Sequence, residues 1–404
     1  MSYRERTIRN ALSKISDNFK VVLLTGMRQV GKTTFLRRII GKDRKYVTLD
    51  NPKDLLLAKE EPDFFFQTYP PPLFIDEIQY APELFVYIKM LTDNSDRHGL
   101  IWLSGSQQFS LMKGITESLA GRVVILEMLG FSIYELEGKG ELQKPFLPSS
   151  KPPLILEKKN IAETFEIIWK GSYPAMSGKD NDQWSNFYSS YVKTYLERDV
   201  RQIINVGNEK DFIKFLGAAA ARTAQELNLA DIARNVEIAP NTAKAWLSVL
   251  ESSGVIYLLK PYYKNITKRT IKKPKIYFTD TGLAAYLTSW STPETLARGA
   301  MSGAFFETFV IMEIIKSYYH NGKYPSLYFY RDNVQTEIDL LIEQDGLLYP
   351  IEIKKTSNPK KSDVSAFDKL AKDEKIIGYG TLVCLTDNPR PLTDKANAIS
   401  IWDL

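Results

Sequence analysis

The chain has 404 residues, more than one hydrophobic core normally organises, so its length predicts two to four domains. Hydrophobic residues at 44% and charged residues at 25% are typical of an ordinary globular protein. The single cysteine excludes a disulfide framework and fits a reducing compartment, and the net charge of +5 is too small to imply nucleic acid by itself. The two histidines leave almost no material for histidine-rich zinc sites or histidine-based nucleophile triads.

The N-terminus and the apolar pattern predict a cytoplasmic protein without a membrane partner. Residues 1–6 lack the apolar core of a signal peptide. No apolar run approaches the roughly 18 residues that a membrane-spanning helix needs.

A phosphate-loop motif, G-x-x-x-x-G-K-[ST], occupies Gly26–Thr33 and lies between an apolar run at 21–24 and a helix-like stretch at 34–40. Glycines allow backbone N–H groups to surround phosphates, while the lysine reaches the β and γ groups and the threonine hydroxyl ligates Mg²⁺. The strand before the motif and the helix after it argue against a mere glycine-rich turn. We therefore expect ATP and Mg²⁺ as ligands, a catalytic role for Lys32, and nucleotide contacts from Gly26, Gln29, Val30, Gly31, Lys32, Thr33 and Thr34.

A second short apolar strand, 72–75, ends in Asp76 and Glu77. Asp76 would hold Mg²⁺ together with Thr33, and Glu77 would polarise the water that attacks the γ-phosphate. Taken alone, such an acid pair is more often a solvated turn after a strand. Behind a phosphate loop it predicts hydrolysis.

A third apolar strand, 100–103, leads into Ser104, Ser106 and Gln107. Ser106 or Gln107 would sense the γ-phosphate or orient the lytic water. Arg122 is either a charge-stabilising arginine at the nucleotide or a surface arginine that caps a turn. Strands and helices that alternate, with polar residues at the carboxyl ends of the strands, predict an open parallel α/β sheet.

Two segments rich in proline, glycine, serine and threonine, at 145–153 and 289–303, are predicted to be the seams between domains. Between them, a helix at 227–236, a turn at 237–239 and a helix opened by Pro240 form a candidate helix-turn-helix. The second helix would bury the residues that recur at helical spacing, namely Ala243, Trp246, Leu247 and Leu250. Its other face would lie in a DNA major groove, with Asn241 and Lys244 at the end that reaches base edges.

A basic segment follows the helix-turn-helix. Six of the twelve residues in 264–275 are basic and none is acidic. This composition predicts a wing over DNA phosphates, formed by Lys264, Lys268, Arg269, Lys272, Lys273 and Lys275. The alternative is a solvated charge run on a domain that contacts only proteins.

The C-terminal region contains a predicted two-residue hairpin turn, Asp345-Gly346, between strands at 337–342 and 347–354. In that register Ile338 pairs with Ile353, Leu340 pairs with Ile351, and Asp339 lies opposite Glu352. Opposed carboxylates repel each other, and a divalent cation between them would reverse the sign of this interaction.

These carboxylates resemble the core of PD-(D/E)xK nucleases. Asp339, Glu352 and Glu307, from the helix-like stretch 304–316, would bind the metal. Asp339 and Glu352 would act in catalysis with Lys354, which would stabilise phosphate charge or orient water. Ile338 departs from the pattern, in which proline precedes the aspartate. The alternative is a structural carboxylate pair that Lys354 neutralises.

As a set, the motifs resemble a prokaryotic family of AAA+-type ATP-binding proteins with a C-terminal region of unknown function. The resemblance is carried by TGMRQVGKTT at 25–34, FIDEIQ at 74–79, SGS at 104–106, AGR at 120–122, YLERDV at 195–200, YFTDTGL at 277–283, Phe306-Glu307 and EIKK at 352–355. It implies an AAA+-like ATPase, a winged helix and a restriction-endonuclease-like module. It also implies homo-oligomers in which an arginine, Arg122 or Arg198, meets a neighbour's nucleotide.

The predicted fold is therefore α/β: a P-loop sheet domain at 1–150, a helical connector at 151–215, a winged helix at 216–290 and a nuclease-like α/β domain at 291–404. Two functions fit this order. In the first, an Mg²⁺-dependent ATPase controls a DNA-binding and DNA-cleaving C-terminal half. In the second, an ATP-dependent switch uses the winged helix and an inactive nuclease-like domain to bind protein partners.

Overall fold

The computed structural model describes residues 3–105, 119–195, 209–263, 273–374 and 377–404. In the first part of the described chain, strands and helices alternate as the sequence predicts. Later in the chain the elements no longer follow this alternation.

Five described strands near the N-terminus form one sheet, and every neighbouring pair in it is parallel. They are β1 Val21–Thr25, β2 Lys45–Thr48, β3 Leu73–Asp76, β4 Ile101–Ser104 and β5 Val123–Glu127, in the order β2-β3-β4-β1-β5. The central strands are buried on both faces, as their nearly continuous apolar sequences require. The prediction of an open parallel sheet is confirmed.

Helices cover both faces of this sheet. They are α1 Ile8–Ser16, α2 Lys32–Ile39, α3 Pro52–Glu60, α4 Pro62–Thr68, α5 Leu84–Asp93 and the short α6 Ile133–Leu136. Successive β1 residues belong to different hydrophobic clusters, Val21 to one and Val22 to the other, because side chains of a strand alternate between faces. Because β3, β4 and β1 are parallel neighbours, their carboxyl ends lie side by side at one edge of the sheet.

The middle of the chain is mainly helical, as predicted, with α7 Ile161–Lys170, α8 Asp182–Tyr195 and α9 Glu209–Ala220. Next come β6 Gln225–Glu226, α10 Leu229–Val236 and α11 Pro240–Ser252. Glu237 adopts a left-handed conformation, with φ 62°, between the last two helices, and Pro240 stands at the first turn of α11. The predicted helix, turn and helix are thus present, and α11 begins at the predicted residue.

The remaining elements are strands, which join β6 in a second and larger sheet, and helices. They are β7 Ile256–Pro261, β8 Lys275–Phe278, α12 Thr281–Leu287, α13 Pro293–Arg298, α14 Ser302–Tyr319, β9 Ser326–Arg331, β10 Glu337–Gln344, β11 Leu347–Ile353, α15 Ser365–Asp373, β12 Gly380–Cys384, β13 Arg390–Thr393 and β14 Ala396–Ser400. The strand order is β13-β14-β12-β11-β10-β9-β7-β8-β6. β7 and β9 are parallel neighbours, with Lys260 beside Tyr328. One sheet therefore spans the regions predicted as winged helix and nuclease-like domain.

The hairpin formed by β10 and β11 has the predicted register. Leu340 pairs with Ile351 and Gln344 with Leu347 around the Asp345-Gly346 turn. The ladder stops at Leu340, and beyond it the Asp339 carboxylate accepts a 2.8 Å hydrogen bond from the backbone N–H of Ile353. The expected pairing of Ile338 with Ile353 is absent from the described ladder, because a bulge against β9 between Ile338 and Leu341 turns Ile338 towards the other face.

The second predicted seam, 289–303, is not a linker. It contains α13, whose Leu296 is fully buried, and α13 packs against α7. The first seam has no helix or strand, yet Phe146 is tied to α14 through both backbone groups, by Ser317 Oγ and the Tyr318 hydroxyl. One hydrophobic cluster includes residues from Ile8 to Leu404, so the two halves share a core.

Among the helices of the described ranges, none combines the length and the apolar character needed to cross a bilayer.

Candidate functional site

The phosphate loop connects β1 to α2 in the predicted way. Gly26 has φ +142°, and a Cβ atom there would lie 2.1 Å from the carbonyl oxygen of Met128, so a larger residue cannot occupy this position. Gly31 has φ +90° and immediately precedes α2. The backbone N–H groups at the start of α2 are therefore directed into the loop, where a helix N-terminus favours anionic phosphate.

Lys32 is buried at the centre of this loop. Its Nζ donates hydrogen bonds to the carbonyl oxygens of Gly26, at 2.9 Å, and Met27, at 2.7 Å. The two carbonyls fix the ammonium beside the concave side of the loop. Lys32 is thus positioned to meet phosphate oxygens bound by the surrounding N–H groups.

Asp76 is the second anchor of the site and is almost fully buried. The Thr33 hydroxyl donates to its carboxylate at 2.9 and 3.1 Å, and the Tyr46 hydroxyl lies 3.3 Å away. Ser104, at the end of β4, also donates to this carboxylate. The carboxylate and the threonine hydroxyl provide the hard oxygens that Mg²⁺ prefers, so these residues fit the predicted ion.

Sequence reasoning gave no role to Ser104 or Tyr46 at this anchor. Ser104 had a detectable signal, since it is the polar residue that ends a buried strand. Tyr46 had no such signal, because it reaches Asp76 only through the pairing of β2 with β3.

Glu77 follows Asp76 in a left-handed conformation, with φ 57°. Such a backbone is uncommon for a residue with a side chain and is found preferentially at functional sites. Burial raises the pKa of Glu77, while Gln79 and Lys32 partly offset this effect. Gln79 donates a hydrogen bond to the Glu77 carboxylate and thereby orients it, a role that the sequence did not reveal.

A cleft of about 420 Å³ lies over the loop and is lined by Lys32, Thr33, Asp50 and Glu77, among others. An adjoining cavity of about 460 Å³ has mostly apolar walls, including Tyr3, Phe35, Met128 and Pro174. Gly31 and Thr34 line both spaces. The polar cleft suits a triphosphate and the apolar cavity suits a nucleoside base.

Both predicted γ-phosphate sensors, Ser106 and Gln107, lie outside the described residues, as does Arg198. For Arg122 the sequence left open a nucleotide contact or a surface position, and the structure places it at the surface. It directly precedes β5, whose first residue pairs with the first residue of β1, so it lies at the opposite edge of the sheet from the phosphate loop. There its guanidinium binds both oxygens of Asp93, at 2.7 and 3.2 Å. Arg122 therefore does not contact the nucleotide site of its own chain.

A buried polar network connects the phosphate loop to the C-terminal half. Arg6 donates to the carbonyl oxygens of Val30, at 3.1 Å, and Leu129, at 2.6 Å, and to the Glu135 carboxylate, at 3.1 Å. Glu135 lies 3.4 Å from Nδ1 of His320, which directly follows α14. His320 Nε2 accepts a hydrogen bond from the N–H of Leu129. The sequence gave no indication of this network, because its members are distant along the chain.

Burial and ion pairing determine which side chains of this network are charged. Burial alone would raise the pKa of Glu135, but Arg6, His320 and backbone N–H groups together lower it. Burial lowers the pKa of His320 to about 4, only partly offset by Glu135. At neutral pH the network therefore consists of an Arg6–Glu135 ion pair and an uncharged imidazole.

The exposed face of α11 matches the prediction in its residues. Asn241 and Lys244 are exposed, and Ala243, Trp246 and Leu250 are buried. Leu247, also predicted to be buried, is only partly buried, whereas Val249 is buried. Lys264, Lys268, Arg269 and Lys272 of the predicted wing lie outside the described residues. Lys273 is described and is exposed.

Lys275 does not belong to an exposed wing, contrary to the prediction. It is the first residue of β8 and is only 4% exposed. Its Nζ lies 2.5 Å from Glu337, 3.2 Å from Glu307 and 3.6 Å from Asp339. A buried ammonium group surrounded by carboxylates cannot contact DNA phosphates.

The predicted metal ligands Glu307 and Asp339 therefore share Lys275 as a counter-ion. As the side chains of the described ranges are arranged, with Lys275 between the carboxylates, no three acidic, histidine or cysteine side chains form a group that could hold a metal ion. Glu352 has one buried carboxylate oxygen without a hydrogen-bond partner, and burial together with Asp339 raises its pKa to about 9. Lys354, predicted to act on phosphate, instead pairs with Asp363 at 3.0 Å.

Another motif from the sequence, TDTGL at 279–283, has a structural role. Asp280 caps α12 by accepting from the N–H of Leu283, and it also accepts from the N–H and hydroxyl of Ser172 and the Tyr188 hydroxyl, all within 2.6–2.9 Å. A Cβ atom at Gly282 would clash with Tyr188. The motif thus joins α12 to the break between α7 and α8.

Family models agree with this organisation. The model of an AAA domain matches residues 18–137, which include the phosphate loop, Asp76 and Glu77. Models of two domains of unknown function, DUF8612 and DUF4143, match residues 161–294 and 302–404. The loop geometry and the AAA match together define an ATP-binding P-loop protein of the AAA type.

Curated relatives extend over most of the chain. The uncharacterized proteins Rv2008c of Mycobacterium tuberculosis and Mb2031c of Mycobacterium bovis are each 32% identical over 344 residues, which is 85% of this chain and 72% of theirs. The uncharacterized protein MJ1544 of Methanocaldococcus jannaschii is 24% identical over 380 residues, with 88% and 80% covered. The chain belongs to the same family as the two mycobacterial proteins. In this chain the AAA match precedes the matches to the two domains of unknown function.

Solved structures with some similarity include a point variant of RuvB from Thermotoga maritima, with a TM-score of 0.31, 16% identity, and coverage of 62% of this chain and 88% of that one. The AMPPCP-bound DnaA of Aquifex aeolicus has a TM-score of 0.30, 14% identity, and coverage of 60% and 85%.

Proposed function

We propose that the protein is an Mg²⁺-dependent ATPase whose nucleotide state controls DNA binding by its C-terminal half. The observation that carries the hydrolytic part is the arrangement of Lys32, Thr33 and Asp76 beside the left-handed Glu77. These groups provide phosphate binding, metal binding and a base at one edge of the sheet.

In this mechanism Lys32 and the N–H groups of the loop bind the β and γ phosphates and stabilise the charge that develops there. Glu77 orients a water molecule and takes its proton as the water oxygen bonds to the γ-phosphorus and the bond to the ADP oxygen breaks. Its raised pKa makes Glu77 a stronger base than an ordinary carboxylate while it is ionised. Thr33 and Asp76 would hold Mg²⁺, which would supply positive charge to neutralise the phosphates.

Coupling between nucleotide and C-terminal half is assigned to Arg6 and the segment that follows β5. Arg6 bonds a carbonyl of the phosphate loop, and Leu129 and Glu135 contact His320 at the end of α14. A movement of the loop on hydrolysis therefore changes contacts of a helix in the second half.

DNA binding is assigned to the exposed face of α11, with Asn241 and Lys244 directed to bases and phosphates. Lys273 is the described member of the basic segment that adds phosphate contacts, and Lys268, Arg269 and Lys272 are proposed to join it. The buried position of Lys275 between Glu307 and Glu337 favours binding over cleavage for this half.

The same observation favours one alternative, in which the C-terminal half is an inactive nuclease-like module that binds a protein partner. A homo-oligomer is proposed in either case. Arg122, exposed at the edge opposite the phosphate loop, is the candidate that would reach a neighbour's nucleotide.

The test is calorimetry with ATP and Mg²⁺, followed by DNA binding of the full chain in the presence of ATP or ADP. We expect ATP binding, and DNA affinities that differ about fivefold or more between the two nucleotides, which is the lower end of ordinary coupling. Absence of ATP binding by folded protein would refute the proposal. ATP binding without DNA binding in either state would support the protein-partner alternative.

A further inference from the structure

We infer that Lys275 is the resident cation of the acidic group formed by Glu307, Glu337, Asp339 and Glu352, and that it excludes divalent metal from this group. The inference goes beyond the proposed function and does not depend on ATP hydrolysis. It concerns the site where the sequence predicts Mg²⁺.

The first support is the position of the ammonium group. Nζ of Lys275 lies 2.5 Å from Glu337 Oε1, 3.2 Å from Glu307 Oε1 and 3.6 Å from Asp339 Oδ1. A metal ion bound to the same oxygens, at the roughly 2.0–2.6 Å typical of Mg²⁺ and Ca²⁺, would stand within contact distance of the ammonium. The two cations would repel each other strongly in this buried environment, so they cannot occupy the group together.

The second support is that other groups of the protein already donate hydrogen bonds to carboxylate oxygens of this acidic group. Asp339 Oδ2 already accepts the N–H of Ile353, and Glu307 Oε1 also accepts the Tyr277 hydroxyl at 2.7 Å. Tyr277 and Lys275 are two residues apart on β8 and therefore project from the same face of the strand. β8 thus supplies both of these hydrogen-bond donors to the Glu307 carboxylate.

The third support is that Lys275 cannot easily withdraw. Its strand is paired on both sides, with Leu259 of β7 and Glu226 of β6 as the residues opposite Lys275. The side chain is 5% exposed, and the ammonium lies 5.7 Å from the centre of the Phe329 ring. Moving the ammonium away from the carboxylates would break three ion pairs, and the paired strand fixes the backbone from which the side chain extends.

The Glu352 carboxyl belongs to this group, because it interacts electrostatically with Asp339, Glu307 and Lys275, and one of its buried oxygens has no hydrogen-bond partner. Removing the lysine should leave carboxylates that a divalent ion can bind, because hard oxygen ligands and unbalanced negative charge are then both available.

The experiment follows Mn²⁺ binding by electron paramagnetic resonance in nucleotide-free full-length protein. Asp76→Asn is the parent, because it removes the carboxylate of the phosphate-loop site. We expect no tight Mn²⁺ binding by the parent and stoichiometric binding after Lys275→Met, which retains the length of the side chain. Glu352→Gln added to Lys275→Met should weaken that binding at least tenfold. Lys273→Met, which changes an exposed lysine two residues away, should behave like the parent.

Thermal unfolding gives a second readout. Lys275→Met should lower the unfolding temperature in EDTA, and Mn²⁺ should restore it, whereas Mn²⁺ should leave the parent unchanged. Tight Mn²⁺ binding by the parent that Asp339→Asn removes would overturn the inference, and this arm does not require that any Lys275 variant folds. Folded Lys275→Met that binds no Mn²⁺ would overturn it equally. Neither result would affect ATP binding, so failure here is distinct from failure of the proposed function.

Discussion

Arg6 donates a hydrogen bond of 3.1 Å from Nη1 to the carbonyl oxygen of Val30, so the segment before α1 holds the phosphate loop from behind. The same guanidinium is paired with Glu135, which in turn faces His320. The loop that binds nucleotide and the helix that opens the C-terminal region therefore share one buried network.

Lys32→Ala should weaken ATP binding by about 10–100-fold, since a hydrogen bond to a charged group contributes roughly 1.5–3 kcal/mol. Isothermal titration calorimetry with ATP and Mg²⁺ measures the change. Lys42→Ala, at an exposed position beyond α2, is the control and should bind normally. Unchanged affinity in Lys32→Ala would remove the lysine from phosphate binding.

Glu77→Gln should retain ATP binding and reduce turnover by about 10²–10⁴-fold, which is the usual contribution of a positioned base. The amide keeps the shape of the side chain but cannot take a proton from water. Phosphate release under saturating ATP measures turnover, and exposed Glu83→Gln is the control. Normal turnover in Glu77→Gln would show that another group activates the water.

His320 should make the protein less stable as the pH falls from about 6.5 towards 4. Burial lowers the pKa of His320 to about 4 in the folded state, so between these values the unfolded chain binds more protons, and the free energy of unfolding falls with decreasing pH. Between pH 7 and pH 5 the contribution is about 2 kcal/mol.

Urea unfolding at the two pH values, compared between wild type and His320→Gln, isolates this contribution from other groups that titrate. Arg6, Glu135 and Lys316 face the imidazole and are retained in both proteins. His98→Gln, at an exposed position, should leave the pH dependence unchanged. An equal pH dependence in wild type and His320→Gln would contradict the assignment.

Lys244→Ala should lower DNA affinity for all sequences and reduce by about one the slope of log affinity against log salt concentration. Asn241→Ala should instead reduce discrimination between bases by about 1–3 kcal/mol at one position. Fluorescence anisotropy over a range of salt concentrations measures both effects. Lys53→Ala, on the exposed surface of α3, is the charge-matched control. If Lys53→Ala and Lys244→Ala have equal effects, α11 is not the binding face.

Asp280→Ala should lower the free energy of unfolding by about 3 kcal/mol or more, because it leaves several buried donors from Ser172, Tyr188 and Leu283 without an acceptor, and each unsatisfied group costs about 1–3 kcal/mol. Urea unfolding measures the loss, and exposed Asp394→Ala should unfold like wild type. Retained ATP binding by the folded variant would confirm a structural role, whereas loss of ATP binding at full stability would assign Asp280 to the nucleotide site.

The sequence by itself determined the features that depend on neighbouring residues. The phosphate loop, its flanking strand and helix, and the acids after β3 follow from local chemistry and the two structural periods. The Asp345-Gly346 turn fixed the hairpin register, because a two-residue loop leaves one way to pair its strands. Pro240 fixed the start of α11, since its ring suits the first turn of a helix.

The tertiary structure decided which distant groups meet. Arg122 could be placed at the far edge of the sheet only once β5 was known to run parallel to β1. β7 pairs with β9, and Lys275 enters the acidic group, through contacts that no local pattern encodes. Arg6, Glu135 and His320 likewise meet only in the folded chain. The physical reason is that a side chain's charge and shape are local properties, whereas packing of the whole chain determines which counter-ion lies beside it.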